Sequence, residues 1–147
     1  MRVPPELSYT KTHEWARRLP AAPEARLGGV AQAGEGIEVM VGITAHAQEE
    51  LRDVVFVELP KTRKTVTQGE PAAVIESVKA AFDIYAPVSG TISRVNEAVA
   101  KTPQLVNQDC YGVGWLFAIT PSRAAEFSGL LSAEAYAKQV KTVNSEQ

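Results

Sequence analysis

The sequence predicts a mainly β fold that finishes in helices at its C-terminal end. Short runs rich in β-branched and aromatic residues recur along the chain. Glycine and proline punctuate them, with Pro71 and Pro87 bracketing the clearest pair of runs. Helix-forming residues gather instead after Pro121.

Composition sets the limits of function. The 147 residues suit a single domain spanning 1–147, and 45% apolar residues are enough for a sizeable core. A formal net charge of −2, with acids and bases interspersed, offers no basic stripe for nucleic acid. No apolar run reaches bilayer-spanning length. The start, Met1 to Glu6, lacks the apolar centre of a secretory signal, so a cytoplasmic location is expected, or the mitochondrial matrix if a transit peptide has been removed.

In chain order, Leu7 to Trp15 reads as a strand anchored by Leu7, Tyr9 and Trp15. Breakers from Arg17 to Gly36, among them Pro20, Pro23, Gly28 and Gly29, predict an inserted loop at about 17–36. Ile37 to Thr44 resumes as strand, and Thr44 can cap a short helix from Ala45 to Leu51. The apolar run within Asp53 to Pro60 is short and β-branched, which predicts a buried strand. Lys61 to Lys64 is a basic, solvated turn, and Gly69 marks a tight turn before Pro71.

Ala72 to Glu76 and Ala81 to Tyr85 then form a hairpin, with Ser77-Val78-Lys79-Ala80 between them and Lys79 at its tip. Pro87 to Asn96 gives a turn and an alternating strand. The two halves echo each other loosely, as in a small barrel-like sandwich. Ala98 to Leu105 reads as a polar connection, Asn107 to Gly112 as a polar turn, and Gly114 to Ile119 as the last strand, with Trp115 in the core. From Ala124 to Val140 the chain is helical, broken near Gly129 and Ser132, with Phe127, Leu130, Leu131, Ala135 and Tyr136 on one apolar side. Lys141 to Gln147 is polar and reads as a frayed tail.

Candidate chemistry is sparse. Cys110 is the lone cysteine, and His13 and His46 are the two histidines, so no zinc-site spacing exists. No nucleophile elbow, Walker motif or G-x-G-x-x-G is present. Taken alone, Lys79 is one exposed lysine among many.

The surrounding motifs change its meaning. Tyr9-Thr10 with His13-Glu14-Trp15, Val41-Gly42-Ile43-Thr44, Ala47-Gln48, Val54 to Pro60, Glu76-Ser77-Val78-Lys79-Ala80, Tyr85 to Gly90, Val95 to Ala98, Leu105-Val106-Asn107, Tyr111-Gly112 and Gly114-Trp115-Leu116 follow in order. Together, from about Leu7 to Val140, they closely resemble the H protein family of the glycine cleavage system. The chain departs from that pattern in its longer 17–36 stretch, in Arg52 where the family usually has glycine, in Phe82 where it has a small polar residue, and in Cys110 where proline is common.

The resemblance implies a barrel-sandwich hybrid of the lipoyl/biotinyl-carrier type. It also implies lipoate held in amide linkage on Lys79. The implied role is that of a non-enzymatic carrier, which takes an aminomethyl group from glycine decarboxylase (P protein) and hands it to the tetrahydrofolate-dependent aminomethyltransferase (T protein). Dihydrolipoamide dehydrogenase (L protein) reoxidises the arm, and lipoate-attaching enzymes install it. The family's arm-docking cleft maps onto Thr12, Glu14 and Asp83, and the carboxylates of Glu14 and Asp83 suit a cationic arm. A lipoyl-relay or regulatory adaptor using the same lysine is the alternative. A biotin carrier fits poorly, because Val78 and Ala80 flank Lys79 where biotinyl lysines usually lie between methionines.

Overall fold

The computed structural model describes residues 2–20 and 37–145. Among these, the strands form two sheets. The larger contains β1 (Ser8–Tyr9), β2 (Glu14–Pro20), β3 (Ile37–Ile43), β5 (Thr65–Val66), β8 (Gly90–Val95) and β9 (Phe117–Pro121), in the order β1-β2-β3-β9-β8-β5. The smaller is β4 (Val54–Glu58), β6 (Pro71–Ser77) and β7 (Ala81–Tyr85), in the order β4-β6-β7. Short helices join or flank them: α1 (Ala45–Leu51), α2 (Glu97–Lys101), α3 (Leu105–Gln108), α4 (Ala124–Ser128) and α5 (Ala133–Ser145). The predicted mainly β architecture with C-terminal helices is the one observed.

One core joins the layers. Trp15, Val39, Val41, Ile75, Ile92, Phe117 and Ile119 each expose 1% or less of their surface. Buried residues alternate with more exposed ones along β6 and at the start of β8, whereas Glu14 to Ala16 and Leu116 to Ile119 are buried without a break, so those stretches are covered on both faces. The helices close the ends, with Tyr136 of α5 stacked on Tyr9 of β1 at 4.7 Å between ring centroids. Glu38 is buried in β3. Burial alone would raise its pKa, but hydrogen bonds from Arg94 at 2.6 and 2.9 Å and from Ser93 at 2.7 Å bring it below the ordinary glutamate value.

Several expected elements are drawn differently. The Leu7–Trp15 run is two strands, because Thr10 to His13 turns back on itself with Thr10 O accepting from His13 N at 3.2 Å. Leu7, Tyr9 and Trp15 are nonetheless its buried anchors. Arg17 to Pro20, expected in the 17–36 loop, belong to β2. Arg17 to Pro20 pair with β3 down to Pro20 opposite Ile37, because edge pairing outweighs the nearby breaker. Residues 21–36, the rest of that expected insertion, lie outside the described residues.

The Asp53–Pro60 run is only half buried. Val54 and Val57 face inward, while a bulge between Val54 and Phe56 leaves Val55 and Phe56 49% and 46% exposed. The Ala98–Leu105 connection is partly helical instead, with Ala98 to Lys101 in α2, a turn at Thr102 to Gln104, and Leu105 opening α3. Asn96 caps α2 by accepting from Ala98 N, and Val99 and Val106 turn inward. Asn107 and Gln108, expected in a turn, belong to α3. The last strand starts at Phe117 rather than Gly114. Ala135 of the expected apolar side is exposed, whereas Tyr136 and Val140 are buried. The backbone of α5 continues past Val140 to Ser145.

Arg52 follows α1 with φ 63° and ψ −136°, a region that a side chain disfavours and glycine enters freely. Arg52 is exposed, so the conformation has no buried side-chain contact to offset it. Arg52→Gly is therefore expected to stabilise the fold by about 1 kcal/mol, read as a shift of the urea midpoint at unchanged slope. A lower midpoint would show that Arg52 is not strained.

Candidate functional site

The site is built around the β6–β7 hairpin. Ser77, 8% exposed, fixes the tip from inside. Its Oγ accepts from Lys79 N at 3.1 Å and from Ala80 N at 3.2 Å, while Ser77 N donates to Ala80 O at 2.8 Å. Val78 N donates to Asp53 O at 3.2 Å, tying the tip to the start of β4. Asn107 of α3 braces that start in turn, accepting from Val54 N and donating to Arg52 O. The backbone at the lysine is thus held from two sides. The Lys79 side chain is exposed and makes no hydrogen bond or ion pair among the described residues. A primary amine on a flexible stem, at a rigid and accessible turn, suits acylation by a long group.

Two hollows flank this hairpin. A cleft of about 80 Å³ lies between the Thr12–His13 turn, α1 and β7. Ile43, Ala47, Leu51 and Ile84 give it apolar walls; Thr12, His13, Glu50 and Asp83 give it a polar rim. Phe82, 42% exposed, stands on the same wall next to Asp83. On the other side of Thr12, a cavity of about 370 Å³ is lined by Tyr9, Glu14, Gln68, Tyr85 and Leu131, among others.

Thr12 and Asp83, named from the sequence, meet in the smaller cleft. Glu14 lines the larger cavity instead. It is 1% exposed, and its carboxylate is committed: Oε1 accepts from the hydroxyls of Thr10 and Thr12 at 2.5 Å, and Oε2 from Tyr85 N at 3.2 Å. Burial raises its pKa, and these hydrogen bonds pull against that rise. Glu14 therefore ties the β1–β2 turn to the base of the lysine hairpin and sets where Thr12 stands. Asp83 and Thr12 are exposed, with the Thr12 hydroxyl donating to Glu14.

Sequence reasoning missed three neighbours of this cleft. His13 carries φ 73°, an unusual backbone for a side-chain-bearing residue, and its Nδ1 lies 2.7 Å from Tyr136 Oη. Tyr136 Oη also lies 2.7 Å from Thr44 Oγ1, and burial pushes the phenol up to about 12. Glu50, one turn after His46 on α1, pairs with His46 Nε2 at 2.8 Å. Only the His-Glu dipeptide before Trp15 hinted at any of this. Cys110 is a buried thiol raised by that burial to about 11, which keeps it protonated at neutral pH. No cluster of three or more His, Cys, Asp or Glu side chains suited to a metal occurs among the described residues.

Residues 7–143 match the family model described as glycine cleavage H-protein. The chain is 51% identical over 136 residues to a glycine cleavage system H protein of Thermus thermophilus, covering 92% of this chain and 94% of the relative. It is 49% identical over 134 residues to one from a Shewanella species, covering 91% and 92%. Among solved structures, it resembles the crystal structure of a glycine cleavage system H protein from Mycobacterium marinum, with a TM-score of 0.76, 40% identity and coverage of 94% and 98%.

Proposed function

This chain belongs to the glycine cleavage H-protein family, whose barrel-sandwich hybrid it shares, and from that premise we propose that it is the lipoylated carrier subunit of a glycine cleavage system. The observation that carries the reading is Lys79: an unencumbered amine on a clamped hairpin tip, beside a cleft with a carboxylate at its rim. The hollow fits the tethered end of such an arm, since its walls are aliphatic and its polar groups gather at one edge. Attached to Lys79 Nζ, a lipoyl group would supply redox-active disulfide chemistry suited to carrying the aminomethyl unit of glycine.

The chain's own residues do the holding. Ser77 fixes the lysine backbone, so the attaching enzyme meets a preformed turn. Acylation of Lys79 removes its charge, so the arm enters apolar sites without desolvating an ammonium. Ile43, Ala47 and Leu51 shelter the aliphatic part of the arm in the cleft. Asp83 and Thr12 face its amine end, and Glu14 positions Thr12 through the hydroxyl bond. The partners are glycine decarboxylase, the aminomethyltransferase, dihydrolipoamide dehydrogenase and the lipoate-attaching enzymes, met in the cytoplasm. Tethering keeps the arm's end at high effective concentration near each of them.

The test is reconstituted exchange of glycine carboxyl with bicarbonate by the decarboxylase. Lipoylated chain is expected to stimulate it strongly, and unmodified chain far less. Equal, background-level exchange from both would reject the carrier reading in favour of a lipoate relay.

A further inference from the structure

His13 is held with more care than a spacer in a turn requires. Its backbone sits at φ 73°, fixed by His13 N donating to Thr10 O at 3.2 Å and by Thr44 N donating to His13 O at 3.0 Å. Unfavourable backbone of this kind persists where surroundings enforce it, commonly at functional sites. The ring is fixed as well: Nδ1 meets Tyr136 Oη, and the ring packs against His46 with centroids 4.5 Å apart. Its other nitrogen, Nε2, has no hydrogen-bond partner among the described residues, and the ring borders the cleft that Asp83 and Thr12 share.

We propose that His13 is a positioning residue for the amine end of the docked arm, with Nε2 accepting a hydrogen bond from the ammonium on the cleft wall that Asp83 also lines. The inference rests on the carrier reading above. The hydrogen bonds admit two proton arrangements, and the one invoked is that in which Nδ1–H donates to Tyr136 Oη, Tyr136 donates to Thr44 Oγ1, and Nε2 keeps a lone pair. Asp83 supplies charge attraction, and His13 supplies direction. An uncharged base beside a carboxylate also selects an ammonium over an uncharged or anionic arm end.

The imidazole must be neutral for this. Burial lowers its pKa first, His46 lowers it further, and Glu50 partly offsets both. The charged or titratable groups around the ring are His46 and Glu50 from α1, Tyr136 from α5 and Asp83 from β7, with Glu14 next in the chain. A proton on His13 removes the acceptor and sets cation against cation. Docking and protonation therefore oppose each other, and each weakens the other by the same factor.

The experiment uses the full lipoylated chain, with and without the aminomethyl load installed by decarboxylase and glycine. The His13 ring is titrated by NMR in both forms. The loaded arm is expected to lower the His13 pKa by about one unit, equivalent to a roughly tenfold weakening of docking when His13 is protonated. Asp83→Asn should shrink that shift. His13→Asn, whose side chain tolerates positive φ, should release the load about fivefold faster at neutral pH, with partial rescue in His13→Gln. The wild-type titration stands even if a variant folds poorly. A His13 pKa unmoved by a load that the wild-type chain still protects would overturn this inference alone. A load lost as fast as from free aminomethyl-dihydrolipoamide would overturn the docking reading and this inference with it.

Discussion

Lys79→Arg is expected to take up no lipoate and to lose all carrier activity, while melting within a degree or two of the wild-type chain. The two halves of that result have separate causes. Attachment forms an amide on a primary amine, and a guanidinium neither loses its proton nor acylates at cellular pH. Stability is untouched because the side chain is exposed and makes no described contact, and surface substitutions of that kind stay within about 0.5 kcal/mol. The backbone bonds to Ser77 Oγ come from Lys79 N and Ala80 N and survive any side chain at position 79. Intact-mass analysis after expression in lipoate-replete cells reads the first half, with one lipoyl adduct on the wild-type chain and none on the variant. An adduct that persists in Lys79→Arg would move the attachment point elsewhere. A melting point lowered by many degrees would mean that Lys79 has a structural duty that its free side chain does not suggest.

How much of this was legible beforehand depends on the range of the interactions involved. Thr44 as the cap of α1, Gly69 with φ 85° at its turn, and the hairpin with Lys79 at its tip are all local devices, and period and turn chemistry reveal them. The apolar run at Val54 to Val57 misled for a matching reason. Strand periodicity does not show that a sheet ends there, nor that a bulge turns two neighbours outward. Asn96 looked like the end of a strand. Its amide instead donates to Val113 O and Trp115 O while its carbonyl caps α2, and those partners lie 17 and 19 residues away. The site divides along the same line. Lys79 was marked by its flanking motifs, whereas His13 gained its surroundings from Tyr136, 123 residues along the chain. Glu14 was singled out for charge, yet a carboxylate with its oxygens on Thr10, Thr12 and Tyr85 is first a brace.

The largest effect on the fold itself is expected at Trp15. Its indole is fully buried, and the residue pairs with Tyr9 of β1 on one side and Gly42 of β3 on the other. The ring lies over Gly42 so closely that a Cβ there would come within 2.6 Å of it, and Nε1 donates to Cys110 O at 2.8 Å. Trp15→Ala empties the space and strands the carbonyl, at a cost of about 3–5 kcal/mol. Against a total stability of roughly 5–15 kcal/mol, that approaches unfolding. Trp15→Phe keeps most of the packing and loses the hydrogen bond, so it should cost less, about 1–3 kcal/mol. Gly42 supplies the sharper test. In the wild-type chain, Gly42→Ala drives a methyl into the indole and should destabilise. In a Trp15→Phe background the ring is smaller, and the same methyl should cost less. Urea denaturation of the four proteins then yields a stabilising coupling of about 1 kcal/mol or more. Additive costs would mean that the strands part to admit the methyl, and that the indole is not what forbids a side chain at position 42.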